Sequence, residues 1–207
     1  GKPSELMVDS NEYWSPKQSI RQVSRFEEQF DLVWCEEPAR RWDYRGLRKV
    51  SQNVKAAVAT GENLNHISSF TPLMLNEAVD VVQIGSGTSG ITGALQVAEM
   101  AYGFELPVSM MNCAGNFMAH LAAALPNHIM MEVVGSGRES ILSVDNHIVD
   151  GHIVLGNSPG LGVEFNDEKL RELAIRPQEN LTGPVPSGRR KGAGLYQVPL
   201  DKAFSQE

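Results

Sequence analysis

Glu5-Leu-Met-Val-Asp9, Leu32-Val-Trp-Cys-Glu36 and Ala56-Ala-Val-Ala-Thr-Gly-Glu62 are three short apolar runs, each closed by a carboxylate, and the three acids lie 27 and 26 residues apart. That interval is the length of one strand and one helix. Parallel strands joined by crossover helices put all their C-terminal ends on one face, so acids ending successive strands converge there although they are distant in sequence. Three neighbouring carboxylates repel one another unless a cation holds them, and hard oxygen donors without a nearby Cys or His pair select Mg2+ over zinc. A single acid in such a place is more often a helix N-cap or a solvated loop residue. Three at the same point of three repeats make Asp9, Glu36 and Glu62 candidate metal ligands.

The repeat extends outward from this stretch. Apolar strand candidates begin near Leu6, Leu32, Ala56, Val81, Pro107 and Ile129, at steps of 26, 24, 25, 26 and 22 residues. Helical patterns fill the intervals. Ser15 and Gln18 flank Pro16 as a capping box, and Ile20, Val23, Phe26 and Phe30 trace one apolar face. Ile91, Leu95, Ala98 and Tyr102 mark a second helix ended by Gly103, while Phe117, Leu121 and Ala124 mark a third stopped by Pro126. Beyond Glu132 the rhythm changes. Ile141-Leu-Ser-Val and His152-Ile-Val-Leu, with a turn at Asp150-Gly151, predict a small β ribbon. A short helix is expected around Asp167 to Leu173, followed by a Pro/Gly-rich tail.

The order predicts an α/β fold, a (β/α) barrel with six strand-helix units. Residues 1–134 form the partial barrel carrying the metal site; residues 135–207 form the ribbon, short helix and tail. A closed parallel barrel needs eight strands, so the first strands are expected to precede residue 1. The alternative is a complete open, doubly wound sheet. Such sheets bind ligands at one crevice where strand order reverses, which does not bring successive strand ends to one ion.

Composition narrows the function. The 207 residues are 42% apolar and carry a net charge of -7, and the only dense basic cluster is Arg189-Arg190-Lys191, which reads as a solvated loop. A nucleic-acid groove is not expected. No apolar run approaches the ~20 residues of a membrane span, and Gly1-Lys-Pro-Ser-Glu-Leu lacks the core of a signal peptide. Cys35 and Cys113 are too few for a disulfide framework, so a soluble cytoplasmic protein with reduced thiols is expected, and a homo-oligomer is the expected assembly.

Taken in order, Leu6-Met-Val-Asp9-Ser-Asn11, Trp34-Cys-Glu36-Glu-Pro38, Gly61-Glu62-Asn63, Gly90-Ile-Thr-Gly93, His120 to Pro126, Glu132 and Pro159-Gly-Leu-Gly162 resemble the enolase superfamily, within it the mandelate racemase and muconate lactonizing enzyme-like group. The resemblance implies Asp9, Glu36 and Glu62 as Mg2+ ligands, with Glu36 chosen over Glu37 because it opens the Glu-Glu-Pro motif. It implies Glu132 as an acid at the last strand end that meets the substrate carboxylate or enediolate, and Asn11 and Asn63 as substrate-facing residues beside the ligands. The implied substrate is a small carboxylate, such as a sugar acid, and the resemblance also implies an N-terminal capping domain ahead of the barrel, toward which residues 135–207 return. The superfamily's chemistry joins a Lys or His base to Mg2+ on an enediolate.

The departures from the family select among reactions. Members with an Asp-His pair carry it at the sixth and seventh strand ends, where this chain reads Gln83-Ile-Gly85 and Met110-Met-Asn112. Other branches place a Lys on the sixth strand, yet residues 78–112 contain no Lys, His or Arg. Racemisation needs a base on each face of the α carbon. Dehydration of an acid sugar to a 2-keto-3-deoxy acid, a lyase reaction, needs one residue used first as base and then as acid, and is the first choice. A racemase, epimerase or cycloisomerase of the same superfamily and a non-catalytic metal-binding homologue are the alternatives. The base is expected upstream of residue 1. His66, four residues after the third acid, is a candidate catalytic acid, against its more common role of a solvated helix cap. Asn112 either bonds a substrate hydroxyl or caps the next helix. His120 reads as structural and Cys113 as a buried small residue.

Gly85-Ser-Gly87-Thr-Ser-Gly90 matches the dinucleotide fingerprint in form. The acid required at the end of the next strand is missing from Ser109-Met-Met-Asn112, which disfavours an NAD-dependent dehydrogenase.

Overall fold

The computed structural model describes residues 4–85, 87, 90–111, 113, 116–133 and 141–175. Asn112, most of the loop between Gly85 and Gly90, the segment 134–140 and the tail with Arg189-Arg190-Lys191 lie outside the described residues. The described chain divides into two compact units. One takes in Gly1–Gly61 and Ser68–Val81; the other takes in Glu62–Ile67 and the described residues from Val82 on.

In the first unit, β1 (Leu6–Asp9), β2 (Leu32–Glu36) and β3 (Ala57–Thr60) are parallel neighbours. Met7 lies beside Trp34 and Asp9 beside Glu36, and Trp34 and Glu36 lie beside Ala57 and Ala59 in turn. Residues two apart share a face, so both acids continue the face that carries Met7 and Trp34.

The first crossover helix, α1 (Pro16–Glu27), starts at the expected capping box. The Gln18 N–H donates to Ser15 Oγ at 3.4 Å, and the Ser15 N–H donates to Gln18 Oε1 at 3.1 Å. Its buried face is narrower than the sequence pattern predicts, because Ser19 and Val23 are buried while Phe26 and Phe30 are exposed. Ser19 and Val23, one turn apart, are its two buried residues. At the helix end, Glu27 Oε1 accepts the backbone N–H groups of Lys55 and Ala56, both at 2.7 Å. The same carboxylate, after burial itself, pushes the Cys35 thiol from 9.0 up to about 12.

The second helix, α2 (Tyr44–Ser51), was not marked in the sequence pattern. Asp43 caps it, accepting the Gly46 N–H at 2.9 Å. A Cβ on Gly46 would stand 2.2 Å from Asp43 Oδ2 and 2.5 Å from Pro16 Cγ, so the cap and the start of α1 close on a glycine. Asp80 ties the end of α2 to β3, accepting from Ser51 Oγ at 3.0 Å and from the Val58 N–H at 2.7 Å. The third helix, α3 (Ile67–Leu75), buries Phe70, Leu73 and Met74 despite an internal Pro72.

In the second unit, β4 (Val81–Gly85), β5 (Val108–Met111) and β6 (His128–Met131) are again parallel neighbours, with α4 (Gly90–Gly103) and α5 (Ala119–Ala124) as crossovers. The buried face of α4 differs from the expected one. Gly93, Ala94, Val97, Ala98 and Ala101 are buried, and the large residues Ile91, Leu95 and Tyr102 are exposed. Small side chains let a helix backbone approach a sheet closely, so packing distance outweighs hydropathy here. Asn127 bridges this helix to the following strand, donating to Ala98 O at 3.2 Å and to Leu106 O at 2.9 Å.

Within each unit the strands are neighbours in sequence order, β1-β2-β3 in the first and β4-β5-β6 in the second. That is the order of a barrel; the doubly wound alternative requires a reversal that is absent among the described strands.

The ribbon is two small antiparallel pairs rather than one. The expected turn, with φ of +49° at Asp150 and +76° at Gly151, joins β8 (Asn146–Val149) to β9 (His152–Leu155). The stretch around Ile141, read as a partner of His152–Leu155, instead contributes β7 (Leu142–Val144), which pairs with β10 (Val163–Phe165). The last helix is α6 (Asp167–Ile175). No helix of the described residues is long and apolar enough to cross a membrane.

Candidate metal and substrate site

In the first unit, the parallel register sets Asp9 directly beside Glu36 at the C-terminal ends of adjacent strands. Asp9 is exposed and Glu36 is half-buried. Each carboxylate is oriented by a neighbour. The Asn11 N–H donates to Asp9 Oδ1 at 2.7 Å, and Asn11 Nδ2 donates to Asp9 Oδ2. Trp34 Nε1 donates to Glu36 Oε2 at 3.3 Å from a nearly buried indole. Glu37, the other acid of the motif, is buried and stands at φ +40°. Asn11 thus faces the first carboxylate.

In the second unit, Glu62 and Asn63 are half-buried, and Asn63 Nδ2 donates to Glu62 Oε1 at 3.1 Å. His66 is exposed, just before α3. Glu132 follows β6, with its N–H bonded to Met110 O at 2.8 Å, which continues the β5–β6 ladder by one residue. Asn112 lies outside the described residues.

The end of β4 carries the most telling geometry. A Cβ built on Gly85 would stand 2.2 Å from the carbonyl oxygen of Glu62. Real Cβ atoms do not approach backbone so closely, so this position excludes any side chain while the Glu62 backbone stays where it is. The resemblance assigns a catalytic Asp to this strand end in one branch of the family, and the local backbone is built around its absence.

Two polar features escaped the sequence reading. Gln83 and Ser109 are register partners on β4 and β5, and both are fully buried. Gln83 Nε2 approaches Met111 Sδ at 3.6 Å and Ser109 Oγ approaches it at 3.3 Å. The only signal for them was a polar residue in the middle of each apolar run. The second feature is a buried ion pair between Glu12 and Arg41, which has no sequence signature because its members are 29 residues apart.

Cys113 is buried and its thiol is raised by burial; its Sγ accepts the Met118 N–H at 3.2 Å, which suits the structural role expected of it. His120 is half-buried on α5.

Among the described residues, no group of three or more His, Cys, Asp or Glu side chains is drawn together tightly enough to enclose a metal ion. The chemistry of the donors nevertheless fits Mg2+. All are carboxylates, and Asp9, Glu36 and Glu62 each accept a hydrogen bond from an adjacent Asn or Trp, the arrangement that orients ligating carboxylates.

Residues 1–169 match the enolase C-terminal domain-like family, and the chain belongs to that family. It is 30% identical to the L-Ala-D/L-Glu epimerase of Clostridium acetobutylicum over 77% of this chain and 47% of that protein. It is 29% identical to the L-talarate/galactarate dehydratase of Salmonella typhimurium over 80% of this chain and 41% of that one. Among solved structures, the L-talarate dehydratase from Polaromonas sp. JS666, complexed with Mg and L-glucarate, superposes with a TM-score of 0.74 at 28% identity, covering 83% of this chain and 47% of that one. The chain therefore spans a little under half the length of the relatives it matches.

Proposed function

We propose that this chain carries the metal-binding part of an enolase-superfamily active site that removes the proton α to a carboxylate, and that the reaction is dehydration of an acid sugar to a 2-keto-3-deoxy acid. Asp9, Glu36 and Glu62 are the residues that would hold Mg2+. Bound there, the ion would supply positive charge that stabilises the doubly negative enediolate, without which an α proton is too weakly acidic for any side-chain base.

The protein's own residues have distinct parts in this reading. Asn11 and Trp34 fix the rotamers of Asp9 and Glu36, and Asn63 does the same for Glu62. Glu132, at the last strand end, meets the substrate's carboxylate side as hydrogen-bonding acid. His66 and Asn112 are the remaining candidates for contact with a leaving hydroxyl.

The observation that carries the reaction type is the closed position at Gly85. With the Glu62 carbonyl 2.2 Å from where a Cβ would stand, no acid projects from the end of β4. Residues 78–112 contain no Lys, His or Arg to replace it. A reaction needing one base fits this side of the site, and a reaction needing two does not. The dehydratases among the relatives support the same choice. The epimerase at 30% identity favours the second reading, in which His66 supplies the other base.

The test is a panel of aldonic and aldaric acids incubated with the protein and Mg2+ in deuterated water, followed by NMR. Keto-acid formation is expected, with solvent deuterium in the product and unchanged α configuration in recovered substrate. Inversion at the α carbon without loss of water would move the protein to the racemase and epimerase class.

A further inference from the structure

The loops that follow β1 and β2 are joined by a set of contacts that the metal reading does not use. Glu12 is 1% exposed, and Arg41 donates to its carboxylate from the backbone N–H at 3.0 Å and Nε at 2.5 Å to Oε1, and from Nη2 at 3.1 Å to Oε2. The backbones are clamped as well. The Glu12 N–H donates to Glu37 O at 2.9 Å, Ser10 Oγ donates to the same oxygen at 2.8 Å, and the Ser10 N–H donates to Glu36 O at 3.1 Å.

Three residues of this clamp are in the left-handed region, Asn11 at φ +46°, Glu12 at +57° and Glu37 at +40°. Asn takes that region readily because its short side chain bonds locally, but Glu does so rarely, so Glu12 and Glu37 are held there by their surroundings. At Asn11 the left-handed turn folds both the amide and the side chain back onto Asp9. A buried ion pair contributes little stability compared with apolar residues of the same volume, because both charges lose their hydration. Its presence here is better accounted for by geometry than by stability.

We propose that Glu12 and Arg41 are positioning residues: their buried pair locks the Asn11–Glu12 turn and thereby holds the carboxylates of Asp9 and Glu36 side by side in the orientation that a divalent cation needs. The consequence for metal affinity rests on the proposed function, but the consequence for the turn does not.

The experiment uses the full chain with Glu12→Gln, Arg41→Gln and the charge-keeping Arg41→Lys. In metal-free protein, the strong intraresidue HN–Hα NOE produced by a positive φ reports the turn at Asn11 and Glu12; titration calorimetry then reports Mg2+ affinity. Both Gln variants are expected to weaken the NOE at Asn11 and to lower Mg2+ affinity about 10- to 100-fold; because each strands one buried partner they also lower the melting temperature, and Arg41→Lys is expected to be intermediate, since Lys retains the charge and the backbone bond but not the fork. An unchanged NOE at Asn11 in a folded Gln variant overturns the proposal. So does an unfolded Gln variant whose Arg41→Lys counterpart folds with the native NOE and native affinity. If the unsubstituted protein binds no Mg2+, the metal reading fails, and the NOE alone decides the positioning role.

Discussion

At the scale of single residues, two adjacent acids in one motif have different surroundings, and this separates their roles. Glu36 is half-buried on the face shared with Asp9, oriented by the Trp34 indole, whereas Glu37 is buried in a left-handed turn whose carbonyl clamps the neighbouring loop. Glu36→Gln is expected to weaken Mg2+ binding about 10-fold or more, since each ligand charge offsets the cost of stripping water from the ion. Glu37→Gln is expected to lower the melting temperature more than the affinity. Equal Mg2+ affinities for the two variants in calorimetric titration would reject the assignment. Gly85 supports a prediction of the opposite kind, because adding atoms should do damage. Gly85→Ala puts a methyl carbon 2.2 Å from the Glu62 carbonyl, so a loss of about 1–3 kcal/mol is expected from overpacking. Denaturant unfolding measures it, and a variant as stable as the parent would show that the Glu62 backbone moves aside freely.

At the scale of elements, the ribbon is organised by one residue, through its side chain and its backbone. Asp145 Oδ2 accepts the Ser158 N–H at 2.7 Å, the Asp145 N–H reaches Gly162 O at 2.7 Å and its carbonyl takes the Gly156 N–H at 2.8 Å, so the Pro159-Gly-Leu-Gly162 loop closes on it. Hydrogen bonds from the Ser158 hydroxyl and N–H hold this carboxyl below its ordinary 3.8. The folded form therefore binds protons less readily than the unfolded form. Its contribution is fully present above about pH 4 and is lost as pH falls through the lowered value. Acid titration followed by NMR should show residues 156–162 loosening before β4 and β5, and Asp145→Asn should abolish that difference. Simultaneous loss across both elements would contradict a local role.

At the scale of the whole molecule, β1 in the first unit and β6 in the second each have a strand neighbour on one side only among the described residues. Leu6, Ile129 and Val133 are exposed on or beside them. An unpaired apolar edge is a template for another strand. The 207 residues are expected to self-associate as their concentration rises, as measured by light scattering. A product that stays monodisperse at every concentration would show that these edges are covered in some other way.

The strand starts near Leu6, Leu32 and Val81, the capping box at Ser15 and Gln18, and the turn at Asp150-Gly151 were legible because each rests on interactions within a few residues. Family membership was legible as well, since it depends on motifs in a fixed order. The sequence by itself therefore determined the alternation of strand and helix and the place of Asp9 and Glu36 at strand ends. Which face of α4 turns inward was decided only by tertiary packing, because close approach to the sheet favours Ala94 and Ala101 over the more hydrophobic Ile91 and Leu95. Tertiary structure alone also joined Glu12 to Arg41, placed Gln83 beside Ser109 and closed Gly85 against the Glu62 carbonyl. These contacts link residues 23 to 29 positions apart. Their energies depend on distances of a few ångströms that no local pattern encodes, and those distances exist only once neighbouring strands are in register.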